Sequence, residues 1–372
     1  MATGAGGELA GSSSWAWAFL ALLALAFAAY LAGLLALARR AARLRTVVAL
    51  AIAVQLAPLG APLLLSSDAW TYWAYGRIAV VHDANPYRDA PSEFPSDPAY
   101  EWTGSRWRDS TSVYGPGFTL ASEPVAAAAG SSEDAAAWLY KGLAGLAAVS
   151  ATLLAARRSA FAAAFVGWNP LLAVHLAGGG HNDAWVGALL LAALAAGAGG
   201  RRHLAGVAWM LGITVKWVSL VLLPLSLLEA RATGRRVGLL AFGLTALVIS
   251  GLATWRYGIA WLEVLGPLAG NAEDTTSFAL PGRLSQLGVP IEAAIALFVA
   301  VFAVVYALLL GEAWRGRARL ALAAAALVAC SPYVTPWYLA WVVPLAAVEE
   351  DRLARGLTLA LCAYLLPQTI PV

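Results

Sequence analysis

The sequence predicts an all-α, polytopic transmembrane helix bundle, and three observations predict it. Of 372 residues 61% are hydrophobic and only 12% are charged, where soluble domains carry roughly 25% charged residues. Several apolar runs approach the ~20 residues needed to cross a bilayer. Arginines punctuate those runs in short clusters, as the positive-inside rule asks of inner loops. A chain of this composition would aggregate in water, so lipid is its solvent.

Taken in order, the candidate spans are Trp15–Ala38, Thr46–Leu65, Ala135–Ala156, Phe161–Ala177, Ala184–Ala198, Val237–Thr254, Val289–Leu310 and Leu357–Ile370. No positive segment precedes Trp15, which argues for a retained first helix over a cleaved signal peptide. The arginine clusters at 39–45, 157–158, 201–202, 231–236, 315–319 and 352–355 are placed in the cytoplasm. The N-terminus then lies outside, as do Ser66–Asp134, Gly178–Asp183 and Trp255–Gln286. This assignment forbids Gly117–Gly130 from crossing, so it is expected as a re-entrant or interfacial helix after Tyr114-Gly115-Pro116.

The same assignment makes two re-entrant-like hairpins of Leu204–Glu229 and Ala318–Val348, which have arginines at both ends. From Arg202 to Lys216 a helix would rise about 21 Å, against a hydrocarbon core about 30 Å thick. Lys216 therefore sits in the outer half, and Ser331-Pro332-Tyr333-Val334-Thr335-Pro336 is the matching tip of the second hairpin. The whole chain, 1–372, reads as a single integral membrane domain, with residues 66–134 as a long first outer loop.

That loop is the least membrane-like segment: ten of the 21 acidic residues lie between Asp68 and Asp134. It opens with Ser66-Ser67-Asp68 and an aromatic stretch, Trp70 to Arg77, suited to the membrane interface. A formal charge of +3 gives no footprint for nucleic acid. Cys330 and Cys362 fall inside apolar stretches, so no disulfide framework is expected. No glycine-rich phosphate loop follows a strand signal, no Asp-x-Asp pair is present, and no His/Cys/Asp spacing suggests a metal site. An enzyme of this design needs a substrate delivered by lipid and chemistry on the outer face.

The order Ser67-Asp68, Tyr72, Gly76-Arg77, Asn85-Pro86-Tyr87 and Tyr114-Gly115-Pro116 resembles the first outer loop of GT-C fold, lipid-phosphate-dependent glycosyltransferases. Further on stand Trp168-Asn169-Pro170-Leu171-Leu172, His175, Gly178-Gly179-Gly180-His181-Asn182-Asp183, Val215-Lys216-Trp217, Leu223-Pro224 and Ser331-Pro332-Tyr333 through Pro336-Trp337-Tyr338. With these, residues 66–344 are similar to the actinobacterial polyprenol-phosphate-mannose-dependent α-1,6-mannosyltransferases. The resemblance implies an inverting transfer of a hexose, mannose in that branch, from a polyprenyl-phosphate donor to a glycan or lipoglycan acceptor. No cofactor beyond the lipid-linked donor is expected, and the residues leave a metal requirement open.

It also implies Asp68 as general base. A carboxylate suits proton removal from an acceptor hydroxyl; the competing role is capping the following helix. The leaving lipid phosphate calls for fixed cations. Lys216 is the first candidate, because an ionisable group at that depth marks function by default, and snorkelling to the interface is its alternative. Arg77 and Arg283 are further candidates for the donor phosphate. For the sugar or acceptor the candidates are Tyr72, Asn85, Tyr87, Tyr114, His181, Asn182, Asp183, Trp337 and Tyr338. Helix capping competes for Asn182 and Asp183, and interface anchoring for the aromatics. A transporter or lipid flippase is the alternative function. It would show charge near the midplane and inverted repeats, whereas here polar residues gather toward one rim.

Overall fold

The computed structural model describes residues 13–40, 42–264 and 275–371. The N-terminal stretch 1–12 expected outside, and positions 265–274 of the outer segment Trp255–Gln286, lie outside the described residues. No strand occurs among the described residues; the molecule is an all-α membrane bundle.

Four helices are long and apolar enough to cross a membrane: Ser14–Arg39, Glu133–Ala156, Leu239–Tyr257 and Ile291–Trp314. The last two expose Leu240, Leu247, Val248, Val299, Val304 and Leu308. A helix apolar on all sides with this much bare leucine and valine belongs against lipid. The core lies between the shorter helices, where alanine dominates: Ala162, Ala163, Ala164, Ala323, Ala324 and Ala325 are fully buried. Such small side chains let the helix axes approach closely.

Three expected spans are shorter or broken. Phe161–Ala177 is two helices, Ala160–Gly167 and Pro170–His175. Asn169 stops the first and caps the second, its Oδ1 accepting from the backbone N–H of Leu171 and Leu172, and Pro170 starts the new helix. The buried Gln55 Nε2 donates to the carbonyls of Gly167 and Asn169, so the break is satisfied by protein where lipid could not do so. Thr46–Leu65 is a helix only over Leu44–Leu56 before Pro58 tightens it into a 3₁₀ turn. Leu357–Ile370 is replaced by a helix over Arg352–Tyr364, capped by Asp351.

Both hairpins return to the level at which they start. In the first, helices Arg202–Val215 and Ser219–Ala232 meet at Lys216-Trp217, and Gly238, just past the second, touches the backbone at Arg202. In the second, Leu320–Cys330 runs in and the chain returns through a 3₁₀ segment, Pro336–Trp341, and the helix Val343–Val348. Arg319 Nε lies 2.5 Å from Asp351 Oδ2, and the Ala321 N–H donates to Glu349, which closes this hairpin at its base.

The aromatic stretch forms the helix Asp68–Val80, but it is not an interfacial belt. Trp70, Tyr72, Trp73 and Tyr75 are all fully buried. The helix packs against Pro116–Ala129, the expected non-crossing helix. Contact is close at Gly76, where a Cβ would stand 2.6 Å from the Ser122 carbonyl oxygen; any other residue would push the helices apart.

Candidate active site

Three segments converge on one cavity of about 380 Å³: the start of the Asp68–Val80 helix, the tip of the first hairpin at Lys216, and the tip of the second at Tyr333–Trp341. The loop 114–117 is docked on the end of the Arg202–Val215 helix. The Gly115 N–H donates to the Val215 carbonyl at 3.2 Å, and a side chain at Gly115 would strike the Thr214 backbone. That contact brings Tyr114 beside Lys216 in the cavity wall.

Asp68 is the first residue of its helix, and its backbone N–H donates to Ser66 Oγ at 3.1 Å. Its carboxylate does not cap the helix. Oδ2 lies 3.2 Å from His181 Nδ1 and accepts from the Tyr72 hydroxyl at 3.3 Å. Burial alone would raise this carboxyl; His181, the Lys216 charge and the Ser66 hydroxyl outweigh it and hold it below the ordinary carboxylate range.

His181 is itself fully buried, with its ring stacked on Trp337 at 3.8 Å between centroids. The turn that delivers it needs glycine: Gly180 has φ +72°, and a Cβ there would sit 3.1 Å from Ala69 Cβ. Asn182 stands at the N-cap position of the next helix, but its side chain makes no capping bond. Asn182 Oδ1 is 3.4 Å from the Tyr72 hydroxyl, and Asp183 Oδ1 is 2.7 Å from Lys216 Nζ. Asp183 is completely buried while Lys216 keeps about 20% of its side chain exposed. The Lys216 ammonium also lies over the rings of Tyr338 and Trp341, at 4.8 and 5.1 Å, where the aromatic faces favour a cation.

The structure thus gathers Asp68, Tyr72, Tyr114, His181, Asn182, Asp183, Lys216, Trp337 and Tyr338. Four other candidates stand elsewhere. Arg77 is committed to a buried ion pair, its Nε donating to Asp97 Oδ1 at 2.8 Å, with a further bond to the Gly130 carbonyl. Arg283 packs over Phe278 and bonds to Gln286 at 3.0 Å. Neither lines the cavity. Asn85 donates to the Tyr257 carbonyl at 2.7 Å, and the Tyr87 hydroxyl donates to Thr119 at 2.8 Å; both secure the outer loop. Their motif positions placed them near the site, but their polar atoms are consumed by folding the loop.

Sequence reasoning missed Trp107 and Trp341 in the cavity wall, named Tyr333 only as part of the hairpin tip and motif, and missed Arg106, whose guanidinium lies over the Tyr333 ring at 4.7 Å. Trp341 had a signal, standing one helical turn beyond Trp337. Trp107 and Arg106 had none, because only the folded loop carries them over the hairpin tip.

The cavity is lined by Asp68 and by the hairpin tips at Lys216 and Tyr333, and, behind the tips along the hairpin helices, by Val218 and Val221 of the first and Leu327 and Val328 of the second. Among the described residues no group of three or more His, Cys, Asp or Glu is placed to hold a metal ion. Chemically, Asp68 can accept a proton, Lys216 can hold an anion, and the apolar side chains can take a hydrocarbon chain.

Residues 5–231 match the family model described as alpha-(1->6)-mannopyranosyltransferase, N-terminal domain, and residues 268–371 match the one described as MptB C-terminal domain. A protein of Mycolicibacterium smegmatis (strain ATCC 700084 / mc(2)155) with the name probable alpha-(1->6)-mannopyranosyltransferase is 26% identical across 81% of this chain. The chain spans 65% of that relative's length. No solved structure matches it.

Proposed function

This chain belongs to the alpha-(1->6)-mannopyranosyltransferase family, and on that premise we propose that it transfers mannose from a polyprenyl-phosphate donor to a glycan or lipoglycan acceptor, with inversion, on the outer face of the membrane. The single observation that carries this reading is the cavity itself. It is lined by the Asp68 carboxylate and the Lys216 ammonium and, behind the tips along the hairpin helices, by valine and leucine. A sugar joined through phosphate to an isoprenoid chain has the same order of chemistry.

In the proposed step the acceptor hydroxyl oxygen attacks the anomeric carbon as its proton passes to Asp68. The carbon–oxygen bond to phosphate breaks, and the polyprenyl phosphate leaves with the electron pair. Lys216 stabilises the charge that grows on that phosphate, an electrostatic contribution that is usually among the largest in catalysis. His181 orients Asp68, and Trp337 holds His181 by stacking. Tyr114 and Tyr338 offer aromatic walls to the sugar.

A transporter would place its charges near the midplane, between repeats. Here the carboxylates and the cation meet where both hairpin tips touch the loop 66–134, which favours chemistry at a membrane face. With the arginine clusters in the cytoplasm, that face is the outer one.

Transfer from radiolabelled polyprenyl-phosphate mannose, measured in membranes, tests the reading. Asp68→Asn should insert and fold but lose transfer by about 10²-fold or more, the scale of general-base catalysis. Unchanged turnover in that variant removes Asp68 from the mechanism.

A further inference from the structure

A second cavity, of about 220 Å³, lies on the opposite side of the Asp68–Val80 helix from the first. Trp70 lines it, two residues after Asp68 and so about 200° around the helix. The remaining wall is the turn Gly60–Leu63 and one face of the Glu133–Ala156 helix: Asp134, Ala137, Trp138 and Lys141. Nothing in the proposed transfer uses these residues.

Lys141 is the unusual member. It is one of two lysines in the chain and is 2% exposed. Lys216 has Asp183 as its partner; Lys141 instead donates to the carbonyls of Leu59 and Ala61, with its ammonium 5.4 Å from the Trp138 ring. Among the described residues no carboxylate stands within 4.0 Å of it. Two of its three N–H groups are therefore used, and its charge is balanced only by dipoles. An ionisable group in that state within a membrane helix calls for a counter-charge.

The neighbourhood says which kind. Below the cavity the same helix turns Leu146 and Leu153 outward, and no atom would come within 4 Å of a Cβ at Gly142. That stripe faces acyl chains, so the cavity opens at the level where lipid head groups lie. Trp138, 55% exposed, is placed as an interface anchor. Asp134, also exposed, stands seven residues from Lys141, about 10.5 Å up the helix. One face thus carries a cation deep, an indole in between and a carboxylate at the rim.

From this order we infer that the cavity holds the head group of a zwitterionic membrane lipid with a primary amine, of the phosphoethanolamine type. The phosphate meets the free N–H of Lys141, and the ammonium meets Asp134 across the face of Trp138. An anionic lipid satisfies Lys141 but is repelled at Asp134. A choline head group reaches Asp134 without an N–H to donate. The site is smaller than the ~300–1,000 Å³ of ordinary small-molecule pockets, in keeping with a head group whose chains remain in the bilayer. It rests on membrane embedding alone and stands or falls separately from the transfer reaction.

Native mass spectrometry of the purified, delipidated full chain tests it, with phosphatidylethanolamine, phosphatidylglycerol and phosphatidylcholine offered in turn. Wild type should retain phosphatidylethanolamine over the other two by about tenfold, one charge-assisted hydrogen bond's worth. Asp134→Asn, a change at an exposed position that leaves the fold intact, should abolish that preference and leave phosphatidylglycerol binding equal or stronger. Lys141→Gln should weaken all three phospholipids together. Equal binding of all three lipids by wild type, or an undiminished preference in Asp134→Asn, overturns the assignment. Displacement by soluble glycerophosphoethanolamine at equal concentration would also overturn it, since recognition would then need no acyl chains.

Discussion

Asp183 Oδ1 and Lys216 Nζ stand 2.7 Å apart, joining the buried start of one helix to the break in another. The carboxylate is inaccessible to water and the ammonium is partly open to the cavity. Lys216 is therefore both a strut and the cation proposed for the donor phosphate.

These two duties separate by mutation. Lys216→Ala should weaken donor use and also destabilise the fold by about 2 kcal/mol or more, because a buried charge loses its partner. Adding Asp183→Asn to Lys216→Met should recover thermal stability without recovering donor use. Normal donor saturation and rate in the stable double variant would remove Lys216 from the leaving-group role.

The pH profile follows from the position of Asp68. Its carboxyl is held below the ordinary value near 3.9, so the proposed base is ionised throughout the neutral range. kcat/KM should stay level from about pH 7 to about pH 4 and fall only below that. His181→Gln should move this limb to higher pH, because the imidazole is a main cause of the lowering. A limb unmoved in that variant would contradict the role of His181 in orienting and stabilising the base.

Arg77 and Asp97 make a structural prediction in place of the expected donor contact. Burial would raise the Asp97 carboxyl, but the Arg77 bond, with Ala99 and His82, lowers it overall. A depressed folded value means stability present above the unfolded value near 3.9 and lost as pH falls through the folded one. Melting in detergent should therefore drop more steeply on acidification in wild type than in Asp97→Asn. Arg77→Ala should cost about 3–5 kcal/mol, the range for breaking a buried pair, with donor KM unchanged in whatever fraction folds.

Glu349, at the base of the second hairpin, titrates in the opposite direction. Burial pushes its carboxyl up to about 8 although the Ala321 and Leu320 amides pull it down. The folded state then holds a proton that the unfolded chain releases near pH 4.3. Its contribution is fully present below that pH and declines as pH rises toward about 8. Melting temperature should fall across this window in wild type and stay flatter in Glu349→Gln. Identical slopes would show that Glu349 is ionised in the fold.

How far the sequence reached differs from residue to residue. The hairpins followed from arginines at both ends, and the structure closes one through Arg319 and Asp351 and the other where Gly238 meets Arg202. Asp68 was singled out through the family resemblance, and Lys216 because a lysine at that depth is costly without a purpose. Arg77 was offered as a further cation for the phosphate, but the structure pairs it with Asp97, which lies 20 residues on in a loop with no periodicity. The breaks at Asn169 and Pro58 were missed because hydropathy averages over a window and does not register one capping side chain.

By itself the sequence determined the solvent, the all-α class, the two hairpins and the pool of polar residues from which a site could be drawn, because hydropathy and charge act residue by residue. Which of those polar atoms remain available was decided only by the tertiary structure. Hydrogen bonds and ion pairs form between segments far apart in the chain, as Asp68 with His181 and Asp183 with Lys216. A buried polar group takes the partner that packing brings to it, and no local pattern encodes that choice.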